Sequence, residues 1–460
     1  MPEERYDCIV IGSGPGGYVG AIRAAQLGLK TAVVEKGNTG GRCLNEACIP
    51  AKAILRVAEV MSEVEHAGSF GIEVSDASVN YGGAVKHRDK VIKTLTGGVG
   101  MLFEKNGIDL IEGFGSVTDD GNVKIGGQFD GTEIQTDRVV LACGSVAKPI
   151  LGLEFGGRVL DTAAMWLLNE QPSRLCVIGA GASGTEIASA FGRLGTSVTL
   201  VEALDQILPL EEPEIAKACA REIAKQNVKI ETGAKVEDVS PGDASVSVTV
   251  NGSAEEFDYL VIAAGRGPDV EGLGLEEAGI EVDERGLIKV DGRLRTSREG
   301  VWAIGDMVPG PALAHKASDE GIIAVEDAAG RETHPIDYAY VPAVTFCHPQ
   351  VASFGLTEAE AREAGHEVVV GKVPMGAVGA PTVYGDRGGM VKIVGDSKHG
   401  ELLGASIVSV KAADLIQELV NARELEGGYP EVARIIHPHP AFAEAVMEAA
   451  RATDGWLIHG

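Results

Sequence analysis

The chain of 460 residues has no apolar run long enough to span a bilayer. Its opening, Met1-Pro-Glu-Glu-Arg-Tyr-Asp, enters a strand-like stretch without the features of a signal or transit peptide. Positive charge is scarce: 40 Lys and Arg face 67 Asp and Glu, a net charge of −27. That deficit argues against a nucleic-acid partner, whose phosphates need Lys and Arg. Cysteine is scarce too, with seven in all, an odd number without a framework of spacings. The expected compartment is therefore the reducing cytoplasm, where a disulfide serves catalysis rather than structure. Glycine, by contrast, is abundant at 62 residues, and the length allows two to four domains with well-buried cores.

Only two cysteines have a near neighbour. Cys43 and Cys48 lie in Gly40-Gly-Arg-Cys43-Leu-Asn-Glu-Ala-Cys48-Ile-Pro-Ala-Lys52. On a regular helix their Cα atoms would differ by roughly 7.5 Å of rise, beyond the ~7 Å reach of a disulfide. A bridge needs an irregular backbone here, and Pro50 is expected to push Ile49 out of helical geometry. A redox dithiol and half of a metal site are both readings of such a pair. Zinc needs two further ligands at motif spacing, and no second pair supplies them, so no metal is expected.

A glycine fingerprint precedes the pair. The strand-like Tyr6–Ile11 leads into Gly12-Ser-Gly14-Pro-Gly-Gly17, then a helical stretch ending at Gly28, then Thr31-Ala-Val-Val-Glu35. In such a unit the first glycine permits the turn, the second lets backbone approach a pyrophosphate, and the third lets helix and strand pack closely. The helix N-terminus favours the phosphates, and Glu35 can accept from ribose hydroxyls. The arrangement recurs 167 residues on. Gly12, Gly14, Gly17, Gly28 and Glu35 map without a gap onto Gly179, Gly181, Gly184, Gly195 and Glu202. Two fingerprints in register predict two bound dinucleotides. A 2′-phosphate beside Glu202 would be repelled, and no Arg or Lys occurs between Arg193 and Lys217, so the second site is assigned to NAD rather than NADP.

Between and after these units the pattern predicts a strand pair over 128–144, a strand at Tyr259–Gly265 and a strand–turn at Gly300–Asp306. Taken alone, Asp306 reads as an ordinary turn residue. From about Val341 the fingerprints stop, and alternating strands with two amphipathic helices predict a separate C-terminal domain. There, His437-Pro-His439-Pro440-Ala-Phe-Ala-Glu444 precedes an Ala- and Glu-rich helix whose first turn suits Pro440. His439 and Glu444 have the makings of a base oriented by a carboxylate, or of a plain surface histidine beside a helix start.

Taken together, these stretches resemble the flavoprotein disulfide reductases from end to end, and within them the branch that oxidises dihydrolipoyl groups. The resemblance is carried by Asp7–Tyr18, Cys43-Leu-Asn…Cys48-Ile-Pro, Ala303-Ile-Gly-Asp306 with Leu313-Ala-His-Lys-Ala317, and His439-Pro…Glu444…Asp454-Gly. It implies an α/β fold of two Rossmann-like dinucleotide-binding domains plus a C-terminal α+β dimerisation domain. The implied boundaries are 1–147 for FAD, 148–270 for NAD, 271–340 for a central domain completing the FAD site, and 341–460 for dimerisation. It implies that Gly12, Gly14, Gly17, Glu35 and Lys36 hold the adenosine half of FAD and that Lys52 lies near the flavin ring. Gly115 and Ser145 would line the FAD site, with Asp306 and Ala314 at the ribityl chain. Gly179, Gly181, Gly184, Glu202, Val236 and Gly265 would contact NAD, and Glu186 would lie near the nicotinamide.

The implied chemistry is attack by dihydrolipoamide on a Cys43–Cys48 disulfide, with electrons passing to FAD and then NAD⁺. His439, held by Glu444, would serve the disulfide of the partner in a homodimer. Implied partners are a lipoyl domain and the peripheral-subunit-binding domain of a 2-oxo acid dehydrogenase complex, or glycine cleavage components. The chain departs from the family pattern at Arg42, Glu46 and Ala47, and at Cys143 and Ser183. A carboxylate at Glu46 is expected to raise a thiol pKa unless Arg42 compensates it. Another NADH-dependent disulfide reductase or an NADH:quinone reductase is the alternative. Glutathione reductases usually carry Arg where Glu202 stands, and mercuric reductases end in a cysteine pair that is absent here.

Overall fold

Both glycine fingerprints fold as strand, turn, helix and strand, each at the centre of its own parallel sheet. A computed structural model describes residues 2–127 and 130–460. The chain divides into two units. One comprises Met1–Ala53, Val85–Pro149 and Gly265–Tyr338; the other comprises Ile54–Ala84, Ile150–Ala264 and Ala339–Gly460.

In the first unit, five strands run parallel in the order Val301–Ala303, Val139–Leu141, Cys8–Ile11, Thr31–Glu35, Asp109–Glu112. Cys8–Ile11 is buried at every position, as expected of a central strand covered on both faces. Helices Pro15–Gln26 and Ala314–Ala328 contribute to the core on one face. On the other lies a four-stranded sheet ordered Arg5–Tyr6, Thr132–Thr136, Val123–Gly126, Phe114–Val117.

The expected continuous strand Tyr6–Ile11 is in fact broken at Asp7, whose two flanks join different sheets. The Asp7 carboxylate there accepts from the Lys30 N–H at 2.8 Å. The strand pair expected over 128–144 is also corrected. Thr132–Thr136 and Val139–Leu141 belong to separate sheets and do not pair with each other; Gln128, with Phe129, lies outside the described residues.

The second unit repeats the parallel arrangement with Val159–Asp161, Tyr259–Ile262, Arg174–Ile178, Ser197–Val201 and Val228–Glu231. A three-stranded antiparallel sheet, Val236–Pro241, Val246–Val250 and Ser253–Phe257, shares its core. The C-terminal part is a five-stranded antiparallel sheet ordered Ala343–Thr345, Gln350–Gly355, Glu401–Ser409, Met390–Asp396, Val368–Pro374. It carries five helices rather than the two expected. Three of them, Glu358–Glu363, Gly379–Tyr384 and Tyr429–Arg434, are six residues long, too short to show a helical period in sequence.

Candidate active site

The two fingerprints match down to single hydrogen bonds. Gly12 and Gly179 adopt φ of +101° and +99°, open to glycine at little cost. Their N–H groups donate to Val34 O and Val201 O, each at 2.8 Å. A Cβ on Gly17 would fall 1.9 Å from Gly12 O, and one on Gly184 would fall 1.8 Å from Gly179 O. The third glycine of each fingerprint is thus required by packing.

The middle glycines are different. Gly14 and Gly181 have φ of −63° and −68°, which any residue adopts, and a Cβ on either would meet no protein atom within 4 Å. Neither conformation nor packing within the protein demands glycine there. Each keeps clear a space at a helix N-terminus, where phosphates bind. The residues present therefore fit two dinucleotides.

The acid ending each unit is held alike. Glu35 accepts from the Ser13 N–H at 2.8 Å and the Gly37 N–H at 2.7 Å. Glu202 accepts from the Ala180 N–H at 2.8 Å and the Leu204 N–H at 3.0 Å. The copies differ at Ser13, whose buried hydroxyl donates to Glu35 at 2.6 Å and accepts from the Gly40 N–H at 3.0 Å. Through Ser13 the first fingerprint is fastened to the start of the dithiol segment. A Cβ on Gly41 would lie 2.7 Å from Gly14 Cα, so the segment rests directly on the fingerprint.

Cys43 lies in the helix Gly41–Asn45 and Cys48 opens the helix Cys48–His66. The break at Glu46 and Ala47 supplies the irregular backbone that the spacing demanded. It does not fall at Ile49. Ile49 and Pro50 are both helical, because a proline in the first turn lacks only a donor that would be unpaired there anyway.

The two cysteines are free thiols joined by a hydrogen bond. That bond, then burial, raises the Cys43 thiol well above its ordinary value, while Lys52 pulls it down. Lys52, rather than a contest between Glu46 and Arg42, is the charge with a leading effect on Cys43.

Other expected residues of this unit gather around the sheet. Lys36 pairs with Asp269 at 2.7 Å; burial lowers its pKa, but the Asp269 carboxylate outweighs it and the net shift is upward. Ser145 donates to Asp306, and Arg266 donates to Ser145 O at 2.8 Å. Asp306 sits in the short turn Gly305–Met307. The Gly305 N–H donates to Glu320 at 2.7 Å, and Lys316 Nζ donates to Gly305 O at 2.8 Å. Lys316 and Glu320 pair at 3.0 Å with both side chains fully buried, and the Tyr338 hydroxyl donates to Glu320 at 2.5 Å. Ala314 is the first residue of the helix Ala314–Ala328, so its N–H is one of the donors that helix cannot satisfy.

Gly115 is explained by packing, since a Cβ there would press on Ile11 and Val34 at 3.1 Å. Gly265 takes φ of +88°, and its carbonyl accepts from the Lys148 N–H at 3.0 Å. Sequence reading passed over Ser13, Arg266, Lys316, Glu320 and Tyr338. Ser13 had a signal, being the one hydroxyl where the second fingerprint has Ala180.

In the second unit, Glu186 is buried in the helix Ala182–Arg193 and accepts from the Phe346 N–H at 2.8 Å. Val236 opens the antiparallel strand opposite Val250. His439 Nδ1 lies 2.9 Å from Glu444 Oε1, with the His439 side chain 77% exposed and Glu444 16% exposed. Burial raises the Glu444 carboxyl, but the Ala441 N–H at 2.9 Å and His439 outweigh it and hold it below the ordinary carboxylate range. The helix begins at Glu444, not at Pro440, because the turn Ala441–Glu444 folds the carboxylate back onto the loop.

Residues 6–321 match the family "pyridine nucleotide-disulphide oxidoreductase", and residues 341–450 match its dimerisation domain. A dihydrolipoyl dehydrogenase of Thermus scotoductus is 42% identical, covering 99% of each chain. The dihydrolipoyl dehydrogenase of Bacillus subtilis is 40% identical over 99% of each. The crystal structure of LpdA from Mycobacterium tuberculosis superposes with a TM-score of 0.90 at 26% identity, covering 96% of this chain and 99% of that one. With two fingerprints, a close thiol pair and a match that runs almost the full length, the chain uses FAD and NAD(H) and belongs to the pyridine nucleotide-disulphide oxidoreductase family.

Proposed function

We propose that the chain oxidises dihydrolipoyl groups to the disulfide with reduction of NAD⁺, the activity named for its relatives. The observation that carries the reading is the Cys43–Cys48 thiol pair, fastened through Ser13 to a dinucleotide fingerprint. Bound FAD supplies a two-electron carrier between this pair and NAD⁺.

In the oxidised enzyme a substrate thiolate attacks Cys43 Sγ, and the Cys43–Cys48 bond breaks with Cys48 leaving as the thiolate. The second substrate thiol then attacks the mixed disulfide and expels Cys43, so the substrate leaves as a cyclic disulfide. Only thiolates exchange, which gives a base and a nearby cation their tasks. His439 of a second copy takes the substrate proton at one ring nitrogen while Glu444 holds the other. Lys52 favours the thiolates of the pair. The exposure of His439, bonded to Glu444 yet turned to solvent, supports a role toward another chain, as does the dimerisation-domain match.

Gly12, Gly14, Gly17, Glu35, Lys36, Gly115, Ser145, Asp306 and Ala314 are assigned to FAD. Gly179, Gly181, Gly184, Glu186, Glu202, Val236 and Gly265 are assigned to NAD. The corresponding division is 1–147, 148–270, 271–340 and 341–460. The net charge of −27 suits docking of a basic peripheral-subunit-binding domain, and the reaction suits a cytoplasmic multienzyme complex.

The test is the initial rate with dihydrolipoamide, offering NAD⁺ and NADP⁺ in parallel to the wild type and to Cys43→Ser. Fast turnover with NAD⁺ alone, lost in the variant, is expected. Turnover surviving Cys43→Ser overturns the mechanism, and no rate in a protein carrying FAD moves the function to another substrate.

A further inference from the structure

Two cysteines outside the dithiol motif, 128 residues apart in sequence, meet in the second unit. Cys219 Sγ and Cys347 Sγ are 3.7 Å apart, with the residues 0% and 2% exposed. Cys219 lies on the inner face of the helix Pro213–Ile223, beside buried Ile215, Ala216 and Ile223. Cys347 lies in the turn joining strands Ala343–Thr345 and Gln350–Gly355.

That turn is tied down on both sides of Cys347. The Phe346 N–H donates to Glu186 at 2.8 Å, the His348 N–H donates to Ser189 Oγ at 3.0 Å, and Gln226 donates to His348 O. Close by is Arg193, a buried guanidinium whose Nη1 has no hydrogen-bond partner among the described residues. Arg193 pulls the Cys347 thiol down electrostatically, but the hydrogen bond with Cys219, burial and the Glu186 carboxylate outweigh it and hold the thiol well above its ordinary value. The site thus holds two sulfurs in contact, two anchored backbones and a buried guanidinium that donates through Nε to Ser189 O at 3.2 Å while its Nη1 stays unpaired.

We propose that Cys219 and Cys347 form a second redox dithiol, closing to an intrachain disulfide under a peroxide-class oxidant. Burial excludes bulky disulfide reagents, whereas hydrogen peroxide is close to water in size. The Cys347 thiolate attacks a peroxide oxygen, the O–O bond breaks, and a sulfenic acid and water result. Cys219 then attacks that sulfur and a second water leaves. Two thiols and one peroxide give one disulfide and two waters. Closure to ~2.05 Å draws the sulfurs together by roughly 1.7 Å. It also pulls on the turn that holds Glu186, so NAD-linked turnover falls. That coupling rests on Glu186 serving the NAD site, as assigned above; the bridge itself does not.

The test treats the FAD-loaded enzyme with hydrogen peroxide, alkylates it in denaturant and maps tryptic peptides. The wild type is expected to yield Ala218–Arg221 joined to Glu332–Arg362, with the link lost after reduction by dithiothreitol. The Cys43–Cys48 pair lies in other peptides and does not confuse the map. Turnover of the treated wild type is expected to fall at least twofold relative to Cys347→Thr treated identically, and to recover on reduction. Full alkylation of both cysteines after treatment overturns the proposal. A linked peptide with unchanged turnover keeps the bridge and overturns the coupling to Glu186.

Discussion

Two alanine substitutions one turn apart in the second fingerprint separate a glycine kept for the fold from one kept for a ligand. At Gly184 a Cβ would sit 1.8 Å from Gly179 O, a backbone atom that cannot move aside. Gly184→Ala is expected to destabilise the protein by about 1–3 kcal/mol, measured by urea denaturation. At Gly181 a Cβ would meet nothing. Gly181→Ala is expected to leave stability and FAD content unchanged while raising the KM for NAD⁺ roughly tenfold, about 1.4 kcal/mol of lost binding. Equal destabilisation by both would remove the ligand argument for Gly181. The same scale governs Glu444, bonded to His439 at 2.9 Å and proposed to orient it rather than react. Glu444→Gln is expected to cut turnover of dihydrolipoamide roughly 10- to 100-fold, less than loss of the base itself. It should also displace the limb of the pH–rate profile that reports the imidazole. An unchanged profile would make Glu444 a structural helix-end residue only.

Among elements, the turn Gly305–Met307 is the clearest case of a residue proposed for the FAD site and held by a network behind it. Asp306 follows Gly305, whose N–H is held by Glu320 and whose carbonyl is held by Lys316, both with fully buried side chains. Burial pushes the Glu320 carboxyl up, and Lys316, Tyr338 and the Gly305 N–H pull against it. Removing one member of such a pair strands the other charge, so Lys316→Met is expected to cost about 3–5 kcal/mol in urea denaturation of the FAD-loaded protein. It should also loosen FAD, read as flavin released on gel filtration; unchanged retention would dissociate the network from the site.

Asp306 was named from the resemblance, but the network behind it was not legible, because Lys316 and Glu320 at i and i+4 look like any solvated helix pair. What was legible depended on local spacing. The fingerprints, Glu35 and Glu202 as the acids ending each unit, and the need for a broken backbone between Cys43 and Cys48 are dictated within a few residues. The break fell at Glu46 and Ala47 instead of Ile49 because tolerance of proline depends on where the helix begins, which spacing does not state. The 128–144 pair failed for a related reason: adjacent strands look alike in sequence whether they pair or part to different sheets.

At the scale of the whole molecule, charge and its titration set the conditions under which the fold holds. A net charge of −27 means self-repulsion at neutral pH. Raising sodium chloride from about 10 mM to about 0.3 M, where the Debye length shortens from about 30 Å to well under 10 Å, is expected to raise Tm. Falling pH brings a second effect of opposite sign. Asp327 accepts from Arg295 at 2.6 and 2.7 Å and from Trp302 at 3.0 Å; these contacts outweigh its desolvation and depress its pKa. Glu448, buried at 0% exposure, is likewise depressed against burial by the His459 N–H and imidazole, the Ile458 N–H and Arg451.

A carboxylate with a depressed folded pKa contributes stability that is complete above its unfolded value of about 4 and is lost as pH falls through the folded value. Glu320 and Glu211 are shifted upward by burial, and protonating them as the pH falls relieves their cost. Their gain is complete once the pH is below the unfolded value, whereas the loss at Asp327 and Glu448 continues below it. Tm followed by calorimetry at constant ionic strength is therefore expected to hold or rise between pH 7 and about 5 and to drop steeply below about 4. Asp327→Asn should flatten the acid limb. A variant with the wild-type slope below pH 4 would show that Asp327 is not among the groups that drive acid unfolding.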